Sequence, residues 1–297
     1  MSRTAPDPSL VRGATVLITG AGHGMGALYA RRAAREGAAS LALWDRDTVA
    51  IEQLAAELSA QGVDARAYPV DISQQQQIAS AAADTRADLG TPTLLVNNAG
   101  IVRGAMFWEH DPERDIEQTV RINSLGPMWL TREFLPDMMA DASRPRRILN
   151  VASAAGTMPN PRMSVYAASK WALYGWSESL RLELERSGHR HLVVTTFCPS
   201  YISTGMFDGA RGPLLTPVMT PERAVEKAWM AMLRGTPVVM TPWTVKSASM
   251  LRGVLPTRAW DLIADRIFHV YSSMDQFTGR RTPDRSDRPT EPGIGPS

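Results

Sequence analysis

The sequence predicts an α/β fold built on one doubly wound parallel sheet of about seven strands with helices on both faces, and three observations predict it. Short β-branched or apolar runs alternate with longer helical patterns; glycines cluster where the first run gives way to the first helix; and no internal repeat breaks the alternation. The runs at 14–19, 40–44, 65–69, 93–97, 147–152, 192–198 and 237–241 read as strands. Between them the spans 24–36, 49–60, 74–88, 112–139, 164–187 and 221–233 read as helices. Each right-handed β-α-β crossover lays its helix on one face of the sheet, so repeated units cover both faces. This is the Rossmann-type arrangement, whose ligands bind beyond the carboxyl ends of the strands.

Residues 1–12 are expected to form a flexible N-terminus, 13–277 one domain ending in an amphipathic helix, and 278–297 a disordered tail of Arg, Pro, Asp, Thr and Gly. The chain has 297 residues, of which 44% are hydrophobic, enough for one large domain with a substantial core. Its net charge of +2 comes without a basic block or an aromatic-interleaved stripe, which argues against nucleic acid as a partner. The start is polar, and no stretch approaches the roughly 18 to 20 apolar residues that span a bilayer, so no transmembrane segment is expected. A single cysteine, Cys198, rules out an internal disulfide and fits a reducing compartment; the expectation is a cytoplasmic protein. No metal site is assigned.

The glycine cluster is Thr19-Gly20-Ala21-Gly22-His23-Gly24-Met25-Gly26. It fits the G-x-G-x-x-G/A fingerprint from Gly22, but the wider spacing Gly20-x-x-x-Gly24-x-Gly26 is favoured, because Gly20 is the first residue after the strand able to turn sharply. A helix amino terminus then faces a pyrophosphate. Asp45 ends the second strand, placed to accept hydrogen bonds from a ribose and to repel a 2′-phosphate. NAD is therefore favoured over NADP, although Arg46 and His23 could each help to hold a phosphate.

Further along come Asp71, Asn97-Asn98-Ala99-Gly100, Asn123, Ser153, Tyr166-Ala167-Ala168-Ser169-Lys170, Pro199 and Thr204. In this order and with the glycine turn, the chain from about residue 13 to 234 resembles the short-chain dehydrogenase/reductase family. It is most similar to the retinol and 17β-hydroxysteroid dehydrogenases, through Trp44-Asp45, the run from Val151 to Gly156 and Cys198-Pro199. The resemblance implies cofactor contacts from Gly20, His23, Gly24, Met25, Gly26, Asp45, Arg46, Asp71, Ile72, Asn98, Ala99, Gly100, Tyr166, Lys170, Pro199, Ile202 and Thr204. It implies support of the central sheet from Asn97, and from Asn123 a water that relays a proton from Lys170. The family's usual Pro-Gly is Pro199-Ser200 here.

The chemistry can also be argued from the residues. Hydride transfer to a carbonyl needs a proton donor, and the reverse needs a base; a phenol of pKa about 10 serves only if its phenolate is stabilised. Tyr166 and Lys170, at i and i+4, share a helix face, so the ammonium is expected to lower the phenol's pKa. Ser153 is expected to hydrogen-bond the substrate oxygen. These four, Asn123, Ser153, Tyr166 and Lys170, are the candidate catalytic residues.

The loops point to an apolar alcohol or ketone. Ala155, Met158 and Met163 precede Tyr166, and the segment 202–220 carries Met206, Phe207, Leu214, Leu215, Val218 and Met219 against Asp208 and Arg211. At its length it reads as a lid. Ala168, Trp171, Gly175, Ser179 and Leu182 form a second face of the Tyr166 helix, expected to be buried on a partner in a homodimer or homotetramer. Trp260, Ile263, Ile267, Val270, Tyr271 and Met274 recur at helical spacing across 258–276, a helix expected to dock on the lid rather than on a membrane. The reading is thus an NAD-dependent oxidoreductase of hydrophobic alcohols. Alternatives are an NADPH-dependent ketone reductase and a catalytically idle nucleotide-binding scaffold.

Overall fold

The computed structural model describes residues 5, 7–210, 212–214 and 216–279. Seven parallel strands form one sheet: β1 (Thr15–Thr19), β2 (Ser40–Asp45), β3 (Asp64–Pro69), β4 (Leu94–Asn97), β5 (Arg146–Val151), β6 (Leu192–Pro199) and β7 (Val238–Thr241). Their order is β3-β2-β1-β4-β5-β6-β7, so the chain winds outward from β1 in one direction and from β4 in the other. The switch between β1 and β4 opens the crevice where such sheets take their ligands.

Alternation along the strands builds two cores. Val16, Ile18, Leu41, Leu43, Leu94, Val96, Leu149 and Val151 face one side, packed on α1 (Gly24–Arg35), α2 (Thr48–Ser59) and α7 (Pro221–Arg234). Leu17, Ala42, Trp44, Leu95 and Ile148 face the other, against α3 (Gln75–Leu89), α5 (Gly126–Ala140) and α6 (Ser164–Arg186). The indoles that enter these layers find partners: Trp44 Nε1 donates to Thr85 Oγ1 (3.1 Å) and Trp229 Nε1 to Glu36 Oε2 (2.7 Å).

Four expectations need correction. The helix expected over 112–139 is continuous but irregular: two π-helical stretches, Pro112–Glu117 and Arg121–Leu125, flank the short α4 (Gln118–Val120) before α5 begins. Asn123 lies in the second of them. The N-terminus is anchored from Pro8, where a 3₁₀ turn buries Leu10 and Val11 in the first core. The C-terminal helix stops early: α9 runs only over Thr257–Arg266, His269 takes a left-handed φ of 53°, and the chain doubles back so that both Trp260 and Met274 are buried. The spacing that suggested one helix thus comes from a helix followed by turns. Finally, α8 (Trp243–Val254) has no counterpart among the predicted elements. Its apolar residues largely face outward, so it lacks the core-directed pattern by which a helix is read from sequence.

The second face of α6 lies largely open in the single chain, with Ala168, Trp171, Gly175, Ser179 and Leu182 all exposed and, among the described residues, the Arg252 guanidinium 5.0 Å over the Trp171 ring. Among the described residues no helix is long and apolar enough to cross a membrane. Of the expected tail, Thr278 and Gly279 are ordered onto Asp208 O, and 280–297 lie outside the described residues, as do Arg211 and Leu215 of the lid.

Candidate active site

The glycine-rich turn is built by close approach. Gly20 has a φ of 65°, and a Cβ there would stand 2.9 Å from Ala99 Cα; a Cβ on Gly26 would fall 1.8 Å from Gly20 O. Gly26 therefore seats α1 on the turn and does not line the crevice, unlike every other residue expected to contact the cofactor. Gly24, with φ 52°, has nothing nearer than Thr204 at 3.7 Å, which leaves the helix amino terminus open. Asn98 braces the turn from β4: its Nδ2 donates to Thr19 O (3.0 Å) and Gly20 O (3.3 Å), and its backbone N donates to Thr19 Oγ1 (3.0 Å). Deeper in, Asn97 Nδ2 donates to Asn150 Oδ1 (2.8 Å), tying β4 to β5.

A cleft of about 350 Å³ runs from Asp45, Arg46, Asp71 and Ile72 past Gly20, His23, Gly24, Met25, Asn98, Ala99 and Gly100 to Ser153, Tyr166, Lys170, Pro199, Ile202 and Thr204. These residues fit a dinucleotide: an open helix amino terminus at mid-length and carboxylates at one end. Asp45 is fixed there, its Oδ2 accepting from Gly22 N (2.9 Å) and its Oδ1 from Asp47 N (3.0 Å). His23, left open as a phosphate contact by the sequence, instead pairs with Asp47 at 2.8 Å, and this bond holds the Asp47 carboxyl below its ordinary range. Asp47 thus adds a second carboxylate that was not anticipated.

At the other end Ser153, Tyr166 and Lys170 converge. Ser153 Oγ accepts from Ala155 N (3.1 Å), which leaves its own proton to donate. Lys170 Nζ donates to Val151 O (2.9 Å) and lies 5.9 Å from the centre of the Tyr166 ring. Gly100 and Gly156 make room for this lysine, since a Cβ on either would press on its Nζ (3.3 Å) or its backbone oxygen (2.7 Å). The electrostatics differ from the sequence expectation. Burial pushes the Tyr166 phenol up to about 12, with the nearby Ser153 hydroxyl pulling the other way, and brings the Lys170 ammonium down to about 8. Desolvation is the largest influence on each, because both groups are almost wholly withdrawn from water.

Asn123 is positioned beneath them, but its side chain is committed. Its Nδ2 donates to Ile101 O (2.9 Å) and Ser169 Oγ (3.0 Å), and its Oδ1 accepts from Ile101 N (2.9 Å). Both amide hydrogens are therefore used in clamping the β4 loop to α6, and a water held by this residue would have to be held by other atoms.

A second cavity, of about 240 Å³, meets the cleft at Ser153, Ser200 and Phe207. Ala155, Met158, Met163 and Phe207 line it as expected, whereas Met206 lines the cleft instead. Its outer wall was not foreseen in full: Trp243, Thr244, Ser247, Ala248 and Leu251 of α8 join Trp260, Phe268 and Val270 of the C-terminal segment. The amphipathic spacing of Trp260 and Val270 was the available signal for the latter; α8 offered none. Lid and C-terminus are laced together by Leu214 N to Phe268 O (2.9 Å) and Thr278 N to Asp208 O (2.9 Å).

A family profile described as short chain dehydrogenase matches residues 14–213. The chain belongs to the short-chain dehydrogenase/reductase family. Estradiol 17-beta-dehydrogenase 11 of Mus musculus is 36% identical over 258 residues, covering 86% of this chain and 85% of the mouse protein. Epidermal retinol dehydrogenase 2 of the same species is 35% identical over 276 residues, covering 91% and 87%. Among solved structures, a short-chain dehydrogenase/reductase of Burkholderia phymatum in complex with NAD superposes with a TM-score of 0.74 at 25% identity, covering 82% of this chain and 94% of that one. A short-chain dehydrogenase of Sphingobium yanoikuyae in complex with NADPH gives 0.69 at 29% identity, covering 82% and 96%. This short-chain dehydrogenase/reductase is thus an NAD(P)-dependent oxidoreductase of the retinol and 17β-hydroxysteroid dehydrogenase branch.

The buried lysine has a measurable signature. Below its folded pKa of about 8, Lys170 is charged in both folded and unfolded chains, and burial works against the fold by about 3 kcal/mol. Between about 8 and the ordinary value of 10.5 the folded side chain has released its proton while the unfolded one has not, so stability rises with pH. The difference in unfolding free energy between Lys170→Met and the parent should therefore favour the variant most near neutral pH and shift toward the parent as pH climbs from about 8 to 10.5. Urea titrations across that range would show a constant difference if Lys170 carried no buried charge.

Proposed function

We propose that this chain is an NAD-dependent dehydrogenase that interconverts a hydrophobic alcohol and its ketone or aldehyde, with Tyr166 as general acid and base. The observation that carries this reading is the junction of the two spaces: the dinucleotide cleft and the apolar cavity meet at Ser153, beside Tyr166 and Lys170. NAD, when bound in the cleft, supplies or takes up the hydride.

The chain's own residues handle the oxygen and its proton. A substrate oxygen at the junction takes a hydrogen bond from the Ser153 hydroxyl, placed where negative charge develops. Tyr166, buried and slow to ionise, keeps a proton to give in the direction of reduction; in oxidation it must accept one, helped by the Lys170 charge beneath it. Asn123 is a positioning residue that holds Ile101 and Ser169 around the lysine. Met158, Met163, Phe207 and Leu214 surround the rest of the substrate with apolar surface that, among the described residues, contains no ammonium or guanidinium group, which favours an uncharged hydrophobic molecule.

Asp45 and Asp47 together favour NAD, because a 2′-phosphate at that end would meet two carboxylates. Arg46, which lines the same end and is exposed, favours the second reading, an NADPH-dependent ketone reductase. The open face of α6, with Trp171 and Leu182, supports a homodimer or homotetramer, and the one buried cysteine supports a cytoplasmic setting.

Two substitutions test the reading. Tyr166→Phe keeps the ring against Phe207 and removes the proton donor, so turnover of apolar ketones should drop by about 100-fold or more while NADH still binds in a fluorescence titration. Activity within a few-fold of the parent would refute the assignment. Asp45→Ala removes one of the two carboxylates, and the ratio of NADP to NAD dissociation constants should fall by about tenfold. A parent enzyme that already binds NADP more tightly than NAD would place the phosphate on Arg46 instead.

A further inference from the structure

α8 walls the apolar cavity while burying little of itself. Trp243, Thr244, Ser247, Ala248 and Leu251 line the cavity, and at about 100° per residue they cover an arc of about 140° on the helix. Val245 is the one buried residue of α8. It lies near the amino end, beside β7, so the far end of the helix needs a separate hold. The helix is also weak in itself: nothing stands within 4 Å of a Cβ built on Gly253, so packing does not call for a glycine that lowers helix stability.

Arg252 supplies the hold. It follows Val245 by seven residues and falls within about 20° of it around the helix axis, so the two share a line flanking the cavity face. Its Nη1 donates to Thr157 O (3.2 Å), and its guanidinium carbon lies 5.0 Å over the centre of the Trp171 ring. A planar guanidinium can do both at once, donating in its plane and stacking across an indole. Among the described residues, the other side-chain hydrogen bond from α8 to a different element joins Thr244 to Thr216 (3.2 Å), which belongs to the lid.

Both partners of Arg252 belong to the segments that carry the candidate catalytic residues. Thr157 closes the 3₁₀ turn that starts from Ser153: Gly156 N donates to Ser153 O (2.9 Å), and Thr157 N and Oγ1 both donate to Ala154 O (2.9 and 2.8 Å). Trp171 directly follows Lys170 on α6. One guanidinium thus ties the outer wall of the cavity to the Ser153 turn and to the Lys170 helix together.

We propose that Arg252 is a positioning residue that latches α8 over the cavity and thereby sets the size of ketone or alcohol the cavity admits. The latch stands on its own contacts; its effect on selectivity rests on the function proposed above.

Arg252→Met keeps much of the side chain's length and removes both contacts. Amide hydrogen exchange across 243–254 should quicken by about fivefold or more, while exchange in β1 stays at the parent rate. With NADH, the ratio of kcat/KM for benzophenone to that for cyclohexanone should rise by about fivefold, carried by KM. KM for NADH should hold, because none of α8, Thr157 and Trp171 lines the cleft. Arg252→Lys can still donate to Thr157 O and face the indole, so it should restore most of both readings; Trp171→Leu should shift them less than Arg252→Met. A variant with a lower thermal midpoint but parent-like exchange in α8 and a parent-like size ratio would overturn the proposal, as would a size ratio that stays put while α8 loosens. A parent that reduces no apolar ketone, with exchange in α8 quickened by Arg252→Met, would remove the proposed activity and keep the latch. An active parent with exchange unchanged in the variant would do the reverse.

Discussion

The Lys170 ammonium is the constraint around which the centre of this molecule is arranged. A cation almost wholly withdrawn from water needs a fixed acceptor, and the chain supplies Val151 O at the carboxyl end of β5. That single bond sets the distance between α6 and the middle of the sheet. It also requires glycine at 100 and 156, where any side chain would press on the lysine, and it places Tyr166 one turn away at the mouth of the cleft. The π-helical stretch around Asn123 fits the same demand, since it delivers an amide that closes on the β4 loop and on Ser169 without competing for the lysine. The arrangement costs stability and is retained at the one place where the chain has chemistry to perform.

What could be read from the sequence follows from how each signal arises. Parallel strands buried on both faces announce themselves as apolar runs, and all seven were legible to within a residue or two. The glycine turn was legible because positive φ and close approach leave few other residues able to occupy it. Order and spacing likewise brought Ser153, Tyr166 and Lys170 together correctly. The environment of those residues was not legible. Spacing shows that a lysine shares a helix face with a tyrosine, but the balance between attraction and desolvation depends on how deeply both are buried, which three-dimensional packing decides. Pairing across the sheet was equally hidden: nothing in the order of residues says that His23 meets Asp47 rather than a ligand.

The C-terminal region failed for a different reason. Periodicity identifies a helix by the face it hides, and α8 hides little beyond Val245. Conversely, Trp260, Ile263, Val270 and Met274 share a helical period, yet a reversal after α9 is what buries Met274 and half-buries Val270. Elements that wall a cavity or present apolar groups outward follow the demands of ligands and surfaces, so their patterns depart from those of a domain core.

The chain order of the two spaces also sets when each is completed. Every residue lining the dinucleotide cleft lies at or before Phe207, whereas the cavity beside it draws its outer wall from residues 243 to 270. During synthesis the nucleotide-binding half is therefore specified well before the pocket exists, and the last described residues tie the lid down through Asp208. Genetic change at the C-terminal end can reshape what the pocket admits while the cofactor's contacts stay untouched. The outer wall of the cavity is thus encoded in a stretch of the gene apart from the cleft, while Ser153, Ser200 and Phe207 are common to both spaces.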